Sequence, residues 1–214
     1  MNRIDEIVSL CDNTNTIIDI GTDHGYTIIE LIKKNKAKEY IATDINEKPL
    51  NIARNNILPY NKNVKYILTN GLESIKINKE YGIIITGMGG FTIINILKNI
   101  EQYNFKYLII SPHSDIDLFK HFIYSKGLYI EKEIIIYEKG IFYFLFKCLK
   151  GKREYKKYAN NLFLYPYNKI FKLFLNKEIK RIKKILEKIK DNDNKFKKME
   201  DELIENQRYI TLLR

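Results

Sequence analysis

Cysteine is nearly missing from this chain. Its 214 residues contain two, Cys11 and Cys148, far apart and without the close spacing of a metal site, so both read as free structural thiols and no metal site is expected. Long apolar runs are missing as well: none reaches the roughly 18 residues that a membrane-spanning helix needs. The N-terminus has no charged segment followed by an apolar one, which argues against a signal peptide and for a cytoplasmic protein without a membrane partner. A third absence concerns ligands. The chain has no G-x-G-x-x-G stretch, the loop that receives the pyrophosphate of a dinucleotide.

What it has instead is a different strand, loop and helix. Thr16 to Ile20 is a short β-branched run that reads as a buried parallel strand; it breaks at Gly21, and an apolar-periodic helix takes over from Tyr26 to Lys34. Gly21 and Gly25 let a ligand lie against the backbone, and the first turn of the helix offers unpaired N–H groups. A nucleotide-like cofactor is the first expectation. Asp19 just before the loop and Asp23 inside it repel a pyrophosphate, so the ligand is neutral or cationic at this point. That suits the sulfonium and amino group of S-adenosylmethionine better than NAD. Tyr40 to Thr43 forms a second strand ending in Asp44, a position that in a doubly wound sheet reaches the ribose hydroxyls of an adenosine. The plain alternative is that Asp44 caps the helix opening near Lys48.

The remaining chain continues this alternation. Residues 3 to 10 form a short helix, Asn46 to Asn56 another with Pro49 in its first turn, and Val64 to Leu68 the third strand, followed by a turn at Thr69-Asn70-Gly71-Leu72 and a short helix. Ile83 to Thr86 is the fourth strand, running into Gly87-Met88-Gly89-Gly90 and a helix over Phe91 to Ile100. Tyr107 to Ile110 is the fifth, ending at Ser111-Pro112-His113, with a helix over Asp115 to Lys126. Two longer apolar runs, Tyr129 to Tyr137 and Ile141 to Leu149, meet at Glu138-Lys139-Gly140 and read as a hairpin. Five β/α units closed by a hairpin predict an α/β, Rossmann-like sheet of the class I methyltransferase type rather than an NAD domain.

The C-terminal part differs in kind. Leu175, Ile179, Ile182, Leu186 and Ile189 step by four and three, and so do Phe196, Met199, Leu203, Asn206, Ile210 and Leu213. Asp191-Asn192-Asp193-Asn194 breaks the two seams, predicting a C-terminal antiparallel coiled-coil helical hairpin with Asn206 helping to fix register. The charge is concentrated here: residues 152–214 carry 18 Lys or Arg against 9 Asp or Glu, whereas residues 1–151 carry 19 against 17. The chain favours residues of A/T-rich codons, which raises Lys everywhere but does not make one part alone basic. A polyanionic partner such as nucleic acid is expected at the face from Lys180 to Lys190; a merely solvated face is the alternative. The expected domains are residues 1–150, binding cofactor, and 151–214, binding RNA.

On Asp19-Ile20-Gly21-Thr22-Asp23-His24-Gly25-Tyr26, Pro49-Leu50 with Ala53, Asn70-Gly71-Leu72 and Gly87-Met88-Gly89-Gly90, the chain resembles the bacterial tRNA (adenine-22-N1)-methyltransferase family over nearly its whole length. The basic hairpin is similar too. The resemblance implies S-adenosylmethionine as donor and methylation of N1 of an adenine in the D-arm of tRNA, with a monomer as the working expectation. It implies a cofactor set of Asp19, Gly21, His24 and Gly25 in the first loop, Asp44 and Ile45 after the second strand, Asn70, Gly71 and Leu72 after the third, and Gly87 and Met88 after the fourth. Gly89, Gly90, Lys180, Arg181 and Lys184 are the substrate-binding candidates. Two departures stand out: the family's Asp is here Asn70, an uncharged acceptor, and its Gln-Pro-Asn is here Ser111-Pro112-His113, so no target-base role is carried over to that loop.

The chemistry is consistent with these residue types. Adenine N1 has a free lone pair at neutral pH, so alignment matters more than a deprotonating base. A carboxylate near the exocyclic amine stabilises the cation that forms or takes its proton, and Asp23 is the catalytic candidate; a loop carboxylate that binds the cofactor amine or caps the helix is the alternative. His24 either contacts base or cofactor or fills the loop, and His121 reads as structural. A methyltransferase for another RNA position or a small molecule, and a non-catalytic RNA-binding protein with a degenerate Rossmann domain, are the competing readings.

Overall fold

The computed structural model describes residues 2–60, 63–164, 166–188 and 194–213. In chain order, α1 (Arg3–Leu10), β1 (Thr14–Ile20), α2 (Tyr26–Lys33), β2 (Ala37–Asp44), α3 (Glu47–Ile57), β3 (Val64–Leu68) and β4 (Tyr81–Met88) are followed by α4 (Gly90–Leu97) and β5 (Phe105–Pro112). Then come α5 (Ile116–Ser125), β6 (Leu128–Glu138), β7 (Ile141–Lys150), α6 (Tyr167–Leu186) and α7 (Asn194–Leu212).

Isoleucine runs make the sheet. Ile17 and Ile18, Ile83 to Ile85, and Leu108 to Ile110 are all 0% exposed, the mark of strands covered on both faces. The strand order is β3-β2-β1-β4-β5-β7-β6, parallel through β5, with β7 antiparallel to it. The hairpin that brings β7 back turns on Lys139 and Gly140, both at positive φ (49° and 84°), as a two-residue connection between right-twisted strands requires. Helix α2 buries Ile28, Ile29, Leu31 and Ile32 on its sheet face, each contributing about 1.5–3 kcal/mol. Pro49 sits at the third position of α3, where its missing N–H has no intrahelical partner to lose. Tyr107 is fully buried, donates its hydroxyl to Asp12 O at 2.9 Å and occupies space that a Cβ on Gly82 would enter.

Three stretches differ from the sequence expectation. The strands extend further, β1 starting at Thr14 and β5 running through Pro112, because pairing with covered neighbours continues past the purely apolar residues. No helix follows Leu72: Gly71 at φ 60° closes consecutive turns, with Glu73 N–H to Asn70 O at 3.3 Å and Ile75 N–H to Leu72 O at 2.9 Å. The fourth helix stops at Leu97, and a separate 3-10 turn covers Ile100–Gln102.

The chain forms two compact units, Met1–Glu133 with Tyr143–Lys157, and Ile134–Phe142 with Tyr158–Arg214. In the second, α6 and α7 pack together, burying Leu175 and Ile182 from one seam and Asn206 and Leu213 from the other. Aromatic residues add to this seam: Phe171 is 0% exposed, with Tyr158 at 4.8 Å and Phe163 at 5.3 Å between ring centroids. Ile189 and the turn expected at residues 191–194 lie, apart from Asn194, outside the described residues. Among the described residues no helix is long and apolar enough to cross a membrane, and Cys11 and Cys148 are free and buried.

Candidate cofactor site

Parallel strands deliver their C-terminal ends to one rim, and the order β3-β2-β1-β4 sets the loops after these four strands side by side. At the end of β1, Asp19 is 3% exposed and accepts a hydrogen bond from Thr22 Oγ1 at 2.9 Å. Burial pushes its pKa up to about 6; the Thr22 bond opposes this and the Asp44 charge adds to it. The N–H groups of Gly21 and Thr22 both donate to Thr43 O at 2.9 Å, tying this loop to the end of β2.

The glycines here have different reasons to be glycine. Gly21 lies at φ 74°, and a Cβ on it would come 2.2 Å from Met88 Cε, so the β1 and β4 loops touch. Gly25, at φ 75°, faces Ile57 and Ala53, and its missing side chain lets α2 approach α3. Gly87 lies at φ 82° with open space around it, so conformation selects it. A Cβ on Gly89 would meet Ser114 Oγ at 3.2 Å, and one on Gly90 would meet Ser114 O at 2.6 Å, which makes Gly90 a close-packing position against the turn before α5. His113 N–H donates to Met88 O at 2.8 Å and completes the join between these loops. Burial, and then the Arg3 charge, lower the His113 pKa.

Asp23 projects outward. Its backbone is held at φ 48°, its side chain is 68% exposed, and its carboxylate lies 3.6 Å from His24 Nε2. His24 in turn stacks on Tyr26 with ring centroids 5.6 Å apart, so the rim carries a half-exposed aromatic pair beside a carboxylate. Asp44 is nearly buried and accepts the Asn46 N–H through Oδ1 at 2.9 Å; Asn46, not Asp44, occupies the N-cap of α3. Ile45 is 63% exposed next to it. Asn70 is exposed and donates from Nδ2 to Glu73 Oε1 at 2.9 Å, whereas Leu72 is buried with its carbonyl taken by Tyr103 Oη. Lys180, Arg181 and Lys184 belong to the second unit and are exposed on α6, with Arg181 paired to Glu178 at 2.8 Å. Glu73 and Asn46 join the site through contacts that only their spacing of three and two residues from Asn70 and Asp44 signals in the sequence.

The family described as a methyltransferase domain matches residues 1–146. The structure of M. capricolum TrmK in complex with S-adenosylhomocysteine is 30% identical, covers 100% of this chain and 99% of its own, and superposes with a TM-score of 0.85. The chain belongs to the TrmK family of methyltransferases. The tRNA (adenine(22)-N(1))-methyltransferase of Bacillus subtilis (strain 168) is 26% identical over 156 residues, 71% of this chain and 66% of that one. The crystal structure of the B. subtilis M1A22 tRNA methyltransferase TrmK is 22% identical with a TM-score of 0.73, covering 99% and 96% of the two chains, a likeness of fold. The likeness to the M. capricolum structure spans both compact units, the α6–α7 pair included.

Proposed function

We propose that this protein transfers a methyl group from S-adenosylmethionine to N1 of adenine 22 in the D-arm of tRNA. The observation that carries the reading is the placement of two buried carboxylates, Asp19 and Asp44, at the C-terminal ends of adjacent parallel strands in a TrmK-family chain: they suit a ligand with an ammonium and a ribose and repel a pyrophosphate. The residues fit that cofactor. Asp19 and the Gly21 loop suit its amino end, Asp44 its ribose hydroxyls, Ile45 a face of its adenine, and Asn70 Oδ1 the adenine amine; Leu72 underlies that turn and Met88 closes on Gly21.

Bound S-adenosylmethionine supplies a methyl group on a positively charged sulfur. The chain's work is alignment and charge. Because adenine N1 attacks through a free lone pair, Asp23 has no proton to remove first; its exposed carboxylate faces the exocyclic amine and offsets the positive charge the base acquires. N1 lies on the pairing edge, so the adenine enters unpaired or flipped out, and the opening at Gly87 leaves space for it. Residues 151–214 grip the tRNA by shape and phosphates, with Lys180, Arg181 and Lys184 among the contacts. The enzyme works in this reading as a cytoplasmic monomer.

The test is incubation with labelled S-adenosylmethionine and unmodified tRNA, followed by nucleoside analysis. Labelled 1-methyladenosine is expected. No methylated product from a protein that binds the cofactor would move the substrate elsewhere.

A further inference from the structure

The turn after β3 holds its own hydrogen-bonded pair. Asn70 and Glu73 are the first and last residues of a turn closed by Glu73 N–H to Asn70 O at 3.3 Å, and their side chains meet at Nδ2 to Oε1, 2.9 Å. Tyr103 Oη donates to Leu72 O at 2.8 Å and pins the opposite side of the turn. Asn70, Glu73, Lys98, Asn95 and Tyr103 also line a cavity of about 310 Å³.

A carboxamide has two faces of opposite character, and a carboxylate has one. Ionised Glu73 only accepts hydrogen bonds, so it engages the Asn70 NH₂ and turns Asn70 Oδ1 the other way. In the sheet, Asp44 pairs with Leu68, two residues before Asn70, so a nucleoside whose ribose lies on Asp44 carries its base toward Asn70. We propose that Glu73 is a positioning residue: by fixing the orientation of the Asn70 carboxamide it makes the site select a 6-amino purine over a 6-oxo purine. This rests on the cofactor reading above. An adenine amine donates to the presented Oδ1, whereas the O6 of hypoxanthine would oppose it with a second acceptor.

The experiment is calorimetric titration of the full-length protein with S-adenosylhomocysteine and with S-inosylhomocysteine, its 6-oxo counterpart. Wild type is expected to prefer the 6-amino ligand by about tenfold or more, the worth of one hydrogen bond made against one acceptor clash. Glu73→Gln, which offers both a donor and an acceptor, lets the Asn70 amide turn, and the preference falls to about twofold. Asn70→Asp combined with Glu73→Gln restores it, because a carboxylate at position 70 accepts only. An unchanged ratio in Glu73→Gln, or an equal loss of affinity for both ligands, overturns the proposal while leaving the cofactor reading intact. Failure of wild type to bind S-adenosylhomocysteine overturns both.

Discussion

If Asp19 holds the amino end of S-adenosylmethionine, as proposed, cofactor binding is coupled to a proton, and pH resolves the coupling. Burial raises the Asp19 pKa to about 6, against an unfolded carboxylate near 4. Two opposite trends follow. In the free protein the native state binds the proton more tightly than the unfolded chain, so stability rises as pH falls from about 6 toward about 4, and the ionised buried carboxylate is a standing penalty above that window. The full penalty corresponds to about two pH units, or about 3 kcal/mol as an upper bound. Ligand binding runs the other way, because an ammonium group needs the carboxylate charged. With a pKa of about 6, roughly one molecule in eleven is ionised at pH 5 and ten in eleven at pH 7, so S-adenosylhomocysteine should bind about tenfold more weakly at pH 5. Calorimetry in buffers of different ionisation enthalpy should count about one proton released on binding at pH 5 and almost none at pH 7.5. Asp19→Asn should bind weakly without this slope and should be more stable than wild type at pH 7. A dissociation constant that is flat from pH 5 to 7, or a slope that survives in Asp19→Asn, would refute the assignment of the amino end to Asp19.

Other expectations follow from the packing. Lys120 and Glu133 form a buried pair at 2.7 Å, with Lys120 also donating to Lys157 O. Lys120→Met should lower stability by about 3–5 kcal/mol by denaturant titration, and Lys120→Met with Glu133→Leu should recover most of it, since both charges then leave the interior together. The buried Oδ1 of Asn206 has no hydrogen-bond partner among the described residues; Asn206→Leu should raise the unfolding free energy by about 1–2 kcal/mol by denaturant titration, and a decrease would show that the amide is satisfied in solution. Lys180→Glu, Arg181→Glu and Lys184→Glu together should weaken tRNA binding and reduce the slope of log affinity against log salt by about 3 while leaving S-adenosylhomocysteine affinity unchanged; equal tRNA affinity would remove α6 from the RNA contact.

The parallel part of the fold was legible because fully covered strands have to be apolar on both faces, and runs such as Ile83 to Ile85 have few other uses. Its antiparallel ending was legible from Glu138-Lys139-Gly140 between two apolar runs, with Gly140 suited to the positive φ it adopts and Lys139 carried into the same region beside it. The helical pair showed as heptad spacing at Leu175, Ile182, Asn206 and Leu213, but the aromatic cluster around Phe171 did not, because Tyr158 and Phe163 reach it from the irregular segment before α6 and Tyr209 from α7, with no periodicity linking them. The Lys120–Glu133 pair was invisible for a similar reason: a lysine on a helix reads as solvent-facing until β6 and the segment at Lys157 cover it. At the rim, sequence located the loops but could not separate glycines that leave space for a ligand from those, such as Gly25 and Gly90, whose space is taken by Ile57 and Ser114.

The measurement that tests the account most directly uses two tRNA transcripts that differ only at position 22, adenine in one and guanine in the other, incubated with the purified protein and S-adenosylmethionine and read by mass spectrometry of the digested nucleosides. The account predicts 1-methyladenosine from the first transcript and none from the second. Equal 1-methyladenosine from both would contradict the assigned target, and none from either, with cofactor demonstrably bound, would contradict the assigned reaction.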